Sequence, residues 1–390
     1  MSTEYKNILY IGGFELPDKN AAAQRVVANG KLLRSLGHNV KFLGVSKDKY
    51  FSNLDESHNK YYDFDTWSIN YPKTTKEWIK YVTEIKKIEL LIETHKLKPD
   101  IIIIYNFPAI SCGKLIKFCR ENNIKLIADI TEWYGHNVNS ILGLIKFIDS
   151  ELRMRYYHKK LDGLICISKF LYDYYKNSVK NLIQLPPLVD LSDEKWKVEI
   201  LPKKDKKVIV YAGSPGGKDK INLLIDALLQ IENISEILEF RIIGITKEDF
   251  LLRYNYTDNQ IESLSKFSVF LGRLPHTVVI KEVTNADFSA FLRENNKTNN
   301  AGFPTKFVES ISCGTPVITN KTSNVEDYLI EGENGFWLEL NANKSITKML
   351  LNIIPNSEIF RKINIDKAVF VHTNQSERTS TFINKLYEEK

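Results

Sequence analysis

The sequence predicts an α/β protein built from two doubly wound, Rossmann-like domains. Three observations carry that expectation. The chain has 390 residues, long for a single hydrophobic core. Short apolar runs alternate with helical patterns twice over, once on each side of a polar stretch at residues 191–207. Runs such as residues 101–104 are apolar at every position, as in a parallel strand covered on both faces.

The elements follow in order. Residues 7–11 form a short strand that breaks at Gly12 and Gly13, and a helical pattern runs from about 21 to 36 with Val26, Val27, Leu32 and Leu33 on one side. Gly37 ends it, and residues 40–45 predict the next strand. Residues 77–95 carry one continuous helical period through Trp78, Val82, Ile85, Ile88 and Leu91. Pro99 and Asp100 open the strand 101–105. A helix near 112–121, a strand at 125–130, a long helix over 141–160 and a strand at 163–168 complete the first series. Pro186 and Pro187 fix an extended turn. The second series contains strands at 208–211, 239–243, 269–271, 288–292 and 316–319. Helices are expected at 221–231, 278–283 and 305–312, and a last amphipathic helix at 376–387. The boundaries give a first domain at residues 1–188, a second at 200–370 and a C-terminal segment at 371–390.

Composition excludes several classes. No apolar run approaches the roughly 20 residues that span a bilayer, and the start has no signal-peptide pattern, so a cytoplasmic protein is expected. Cys112, Cys119, Cys166 and Cys313 lack metal-ligand spacing and sit in apolar surroundings, which fits reduced thiols. The net charge of +6 is uneven: residues 1–190 hold 28 Lys and Arg against 21 Asp and Glu, the remainder 26 against 27. That excess is too diffuse for a nucleic-acid binder. It suits an anionic membrane surface or phosphorylated acceptor, or simply a Lys-rich composition.

Three strand-to-helix loops draw attention, because open parallel sheets bind ligands beyond the carboxyl ends of their strands. The first, at Gly12 and Gly13, lacks the dinucleotide spacing of glycines; it is either a structural turn or a ligand contact. The second runs from Tyr211 through Gly213, Ser214, Gly216, Gly217 and Lys218 to Lys220. Its glycines are too close for a nucleotide P-loop, and Asp219 stands where Ser or Thr is required. What remains is a Gly-rich loop with a lysine before a helix, suited to a diphosphate. Lys218 is the functional candidate and Lys220 a solvated one. The third loop is Ala301, Gly302, Phe303, Pro304, Thr305, Lys306, Phe307, Val308, Glu309. Gly302 and Pro304 shape the turn, and Thr305 is expected to cap the following helix. Glu309 falls one turn later, about 6 Å along the axis, within an apolar run where a carboxylate needs a partner. It could accept hydrogen bonds from two vicinal ribose hydroxyls.

At these residues the chain resembles retaining glycosyltransferases of the GT-B fold, specifically the large family 4 (glycosyl transferases group 1). The resemblance spans nearly the whole chain. It is strongest over 208–228 and 271–335, through Gly272, Arg273, Leu274 and Pro275, then Ala286 and Asp287, the Glu309 block, and Gly314, Pro316 and Val317. It implies two Rossmann-like domains facing across a cleft, with residues 186–190 as the hinge and the last helix packing back on the first domain. It also implies a sugar nucleotide held by the second domain and an acceptor by the first. Gly12, Gly13, Gly213, Ser214, Lys218, Arg273, Leu274, Gly302, Phe303, Pro304, Thr305, Lys306 and Glu309 are the donor-binding candidates. Lys218, Lys306 and Glu132 are the catalytic ones; Asp129, Glu132, Trp133 and His136 are placed on the acceptor side. A structural hydrogen-bonding role is the alternative for Glu132 and His136. His38, His58, His95 and His276 read as surface or packing residues.

Two features depart from the family pattern. Ala301 stands where the first of two spaced glutamates is usual, and Ser214 and Pro215 replace a phosphate-binding arginine. Lys218 and Lys306 would supply equivalent charge. The implied activity is metal-independent, retaining transfer of a hexose or N-acetylhexosamine from a UDP- or GDP-sugar, with no cofactor. The acceptor would be a glycan, lipid-linked, in a divergent branch like those that build bacterial capsule, exopolysaccharide or O-antigen. A GT-B sugar-nucleotide epimerase and a non-catalytic partner subunit are the alternatives. Residues 144–160 join apolar Leu144, Ile145, Phe147, Ile148 and Leu152 to Lys146, Arg153, Arg155, Lys159 and Lys160. This is either a membrane-surface helix or one packed on the sheet with a solvated basic face.

Overall fold

The alternating pattern closes into two parallel sheets in a computed structural model that describes residues 4–135, 140–202, 205–340, 343–354 and 365–388. The chain divides into two units. One comprises Met1–Leu188, Ala301–Phe303 and His372–Lys390; the other comprises Val189–Asn300 and Pro304–Val371.

Among the described residues, the first unit has strands β1 (Asn7–Gly12), β2 (Asn39–Ser46), β3 (Asn59–Tyr61), β4 (Phe64–Asn70), β5 (Ile101–Tyr105), β6 (Lys125–Ile130), β7 (Gly163–Cys166) and β8 (Leu182–Gln184). They lie in the order β3-β4-β2-β1-β5-β6-β7-β8, parallel except for the β3–β4 hairpin. Ile8 of β1 sits between Val40 and Ile101, and all five residues of β5 are buried, which is why that run carries no polar alternation. The helix Ala21–Ser35 starts where Asn20 Oδ1 accepts the N–H of Ala23 at 2.8 Å. The last helix, Ser376–Asn384, contributes Phe382 and Ile383 to the same core, and Asn181 Nδ2 donates to the Phe382 carbonyl at 3.0 Å.

The second unit has β9 (Lys207–Ala212), β10 (Leu238–Ile243), β11 (Ser268–Gly272), β12 (Phe288–Ala290), β13 (Val317–Thr319) and β14 (Gly335–Trp337). Among the described residues these form one parallel sheet in the order β11-β10-β9-β12-β13-β14. Strand order reverses between β9 and β12, so the loops after those two strands flank the topological switch point where such sheets bind ligands.

Local departures from the sequence pattern have physical causes. The expected helix at 77–95 is two helices, Thr75–Thr83 and Lys86–Thr94, because Glu84 is extended and Ile85 turns into the core. Thr74 and Glu77 close a capping box that fixes the start of the first. The expected helix at 141–160 is α-helical only over Ile141–Leu152. It then widens into a π-turn at Arg153–Tyr157, where the Tyr175 hydroxyl donates to the Met154 carbonyl at 2.6 Å. Cys112, Cys119, Cys166 and Cys313 are buried and unpaired.

Candidate functional site

In the second unit, the loops after β9, β10 and β11 are tied in a row. Gly213 N–H donates to Ile243 O at 3.0 Å, and Gly244 N–H donates to Gly272 O at 2.6 Å. A Cβ on Gly244 would lie 2.5 Å from the Gly213 carbonyl carbon, so these backbones meet only because that side chain is hydrogen. Gly213 (φ +130°) has a second constraint: a Cβ there would lie 2.7 Å from Lys306 Nζ. The lysine ammonium is therefore packed directly against the start of the Gly-rich loop that follows β9.

Lys306 is the second residue of the helix Thr305–Cys313. Pro304, not Thr305, occupies the N-cap, and among the described residues no side chain caps the helix; this corrects the expected role of Thr305. Gly314 (φ +76°) ends the helix in the left-handed conformation. Lys306 is buried, and its Nζ donates to Asp219 Oδ2 at 2.7 Å. The Tyr211 hydroxyl donates to the same oxygen at 2.7 Å, and Arg293 Nε donates to Oδ1 at 2.7 Å. Burial pushes the Asp219 carboxyl upward, but Lys306 and Arg293 outweigh it and lower it to about 2. Burial also lowers Lys306, and Asp219 opposes that. The cluster holds two cations and one anion, with the short antiparallel bridge between Asp219 and Arg293 crossing the switch point.

Glu309 is half-buried one turn beyond Lys306, and its Oε1 lies 2.9 Å from His276 Nε2. His276 begins the helix His276–Thr284, directly after Gly272, Arg273, Leu274 and Pro275. Its Nδ1 is buried with no hydrogen-bond partner among the described residues. His276, expected to be an ordinary surface or packing residue, is thus hydrogen-bonded to the Glu309 carboxylate.

Arg273 and Ser214 are exposed, while Lys218 and Leu274 are half-buried. Lys220 is not merely solvated, since it pairs with Glu294 at 2.7 Å. Both line a cavity of about 1090 Å³ together with Asp219, Asn320 and Trp337, at the carboxyl ends of β9, β12, β13 and β14.

Gly302 and Phe303 are assigned to the first unit, as are Gly12, Gly13, Asp129, Glu132 and Trp133. A Cβ on Gly12 would lie 2.4 Å from Tyr105 O, so strand packing alone demands glycine there; Gly13 is exposed. Asp129 is 1% exposed. Its carboxylate accepts from Arg25 Nη2 (2.7 Å), the Tyr10 hydroxyl (2.5 Å) and Asn29 Nδ2 (3.2 Å). It is a buried counter-ion, which corrects its placement on the acceptor side. Trp133 is likewise buried, with Nε1 donating to Glu151 Oε1 at 2.7 Å. Glu132 is half-buried and hydrogen-bonded to Tyr134. His136 lies outside the described residues. Among the described residues, no cluster of three or more His, Cys, Asp or Glu is arranged to hold a metal ion.

Residues 192–377 match the family model described as Glycosyl transferases group 1. An uncharacterized glycosyltransferase of Methanocaldococcus jannaschii is 22% identical over 345 residues, covering 84% of this chain and 88% of that protein. The catalytic domain of starch synthase IV from Arabidopsis thaliana, bound to ADP and acarbose, is similar with a TM-score of 0.73 at 11% identity; the match covers 98% of this chain and 100% of that one. HepE of Anabaena in complex with UDP and glucose is similar with a TM-score of 0.65 at 13% identity, over 97% and 99% of the two chains.

Proposed function

We propose that this chain, whose fold is GT-B and whose residues 192–377 carry a Glycosyl transferases group 1 domain, is a metal-independent, retaining hexosyltransferase. It moves a hexose or N-acetylhexosamine from a UDP- or GDP-sugar to a lipid-linked glycan in bacterial surface polysaccharide synthesis. The observation that carries this reading is the Lys306 ammonium fixed against Gly213, beside the first turn of the Thr305 helix. A diphosphate meeting those groups gains a cation and free N–H donors together. Negative charge grows on the diphosphate as the glycosidic bond breaks, so a fixed ammonium stabilises the transition state more than the ground state. Lys218 adds charge from the same loop. Glu309, oriented by His276, takes the ribose hydroxyls. Transfer occurs on the face the leaving group departs from, and the diphosphate helps to take the acceptor's proton. UDP is favoured over GDP, in keeping with the nucleotide bound to HepE.

No helix among the described residues is long and apolar enough to cross a membrane. The helix Ile141–Leu152 nevertheless exposes Leu144, Ile145, Phe147, Ile148 and Leu152 beside Lys146. We assign this face to the anionic inner surface of the plasma membrane. Arg153 is not part of it, being buried with Nη1 directed at Phe107 O.

A panel of UDP-, GDP- and ADP-sugars tested by thermal shift, then by nucleoside diphosphate release with a lipid-linked acceptor, decides the activity. A shift with release supports the transferase. A shift without release supports a nucleotide-binding partner subunit, the reading that Ala301 favours at the usual glutamate position. Neither result with any donor would sink both.

A further inference from the structure

The first unit holds a cavity that donor chemistry does not use. It has a volume of about 530 Å³. It opens at the carboxyl end of β4, where Tyr71 N–H donates to Ser46 O, the last residue of β2, at 2.8 Å. Ligands bind open parallel sheets at that end, and the volume is ordinary for a small-molecule pocket.

One wall is aromatic. Tyr71 and Tyr81 line the cavity, and Trp78 packs edge-on against both, at ring separations of 5.3 and 5.8 Å. The Tyr81 hydroxyl faces the turn after β1: a Cβ on Gly13 would lie 3.7 Å from it. Burial raises the Tyr81 phenol to about 12, so it stays a neutral donor at physiological pH.

The rim is cationic. The break at Glu84 and Ile85 brings Lys80 from one helix and Lys86 and Lys87 from the next to the same opening, joined by Lys73. Among the described residues none of these four ammonium groups makes an ion pair, whereas Lys41, Lys47 and Lys117 each hold a carboxylate. Two glutamates also line the cavity. Glu77 is engaged by the backbone, accepting the N–H groups of Lys73 (2.8 Å) and Thr74 (3.0 Å); Glu84 is exposed. A neighbouring hollow of about 650 Å³ shares Lys80, Glu84, Ile85 and Lys86; it adds Lys114 and Lys117 but also Glu89 and Glu121, so its charge is nearly balanced.

Aromatic faces with unpaired lysines at their edge select a particular chemistry. The slightly positive C–H face of a pyranose packs on the negative face of an aromatic ring. Ammonium groups serve phosphate as mobile point charges. A purely apolar chain would desolvate the lysines without return. We propose that this cavity binds the acceptor as a phosphate-bearing saccharide, with its ring on Tyr71 and Tyr81 and its phosphate among Lys80, Lys86 and Lys87. Its role as acceptor site rests on the transferase reading; the binding itself does not.

Tryptophan fluorescence of the full chain would be followed during titration with three probes. These are glucose 1-phosphate, methyl glucoside, and undecaprenyl-diphosphate-linked N-acetylglucosamine in detergent micelles. At least one phosphate-bearing probe should bind saturably, and methyl glucoside about tenfold more weakly or not at all. Trp78→Phe should diminish the signal. The Lys80→Ala/Lys86→Ala/Lys87→Ala variant, altered only at exposed positions, should lose about tenfold in affinity while keeping its circular dichroism. The tighter of the two phosphate probes tells whether the phosphate belongs to a free sugar or a lipid carrier. UDP-induced thermal shift reports the second unit separately, so its absence would count against the donor reading and leave this titration to decide its own question. The proposal is overturned if neither phosphate probe saturates, if methyl glucoside binds as tightly, or if the triple variant keeps wild-type affinity.

Discussion

Replacing Asp219 by asparagine would remove the counter-charge from buried Lys306 and half-buried Arg293 while preserving the size of the side chain. The Asp219 carboxyl is lowered from 3.8 to about 2, which corresponds to roughly 2 kcal/mol of preference for the ionised form in the folded unit. Because the folded value lies below the unfolded one, this contribution is present above about pH 4 and is lost as pH falls through about 2. At neutral pH the variant should lose more than that. Lys306 and Arg293 side chains are only 10% and 12% exposed, and both would lose the carboxylate they share. Breaking such a buried arrangement costs about 3–5 kcal/mol, or roughly 6–20 °C in Tm for a domain of this size. Urea denaturation and thermal melts of wild type, Asp219→Asn, Lys306→Met and the double variant measure it. The double variant should be at least about 1 kcal/mol more stable than Asp219→Asn alone, since one uncompensated charge has gone. UDP should raise the Tm of Asp219→Asn by more than that of wild type, because its diphosphate supplies the missing anion. A single variant melting within about 1 °C of wild type, or a double variant less stable than the sum of the singles, would refute this account of the cluster.

Gly213→Ala places a Cβ against Lys306 Nζ at a left-handed φ, so a loss of about 1–3 kcal/mol in denaturation and weaker UDP binding in calorimetry are expected. Glu309→Ala should raise the donor KM at least about tenfold, and His276→Ala about threefold with little change in kcat, both from steady-state kinetics. Asp129→Asn leaves Arg25 buried without its carboxylate, so about 3–5 kcal/mol should be lost while the UDP-induced thermal shift per added ligand is retained.

The fold was legible where one residue run decides one element. All-apolar β5 and the Gly12 break could be placed from local pattern. β4 escaped because Phe64–Asn70 mixes Asp65, Thr66 and Asn70 with its apolar residues and borders a short hairpin. The interruption at Glu84 escaped because the helical period continues across it. In the site, Lys306 and Glu309 share one local motif. The groups that hold them come from 87 and 33 residues away, and Arg293 reaches Asp219 across 74. Asp219 looked like the residue that spoils a phosphate loop, because its partners belong to a different strand and helix. Asp129 and Trp133 looked available for the same reason: a sequence shows that a polar side chain follows a strand, not which neighbour has already taken it.

The four buried cysteines give the molecule an internal clock for opening. Cys112, Cys119 and Cys166 belong to the first unit and Cys313 to the second. Burial raises every one of these thiols, Cys112, Cys119 and Cys313 to about 12, so almost no thiolate exists while the chain is folded. A thiol reagent can then react only through molecules that have opened, and mass spectrometry separates the modified peptides. Cys313 ends the helix that carries Lys306 and Glu309. Its modification rate, with and without UDP, times the opening of that helix on the unaltered protein with no label introduced.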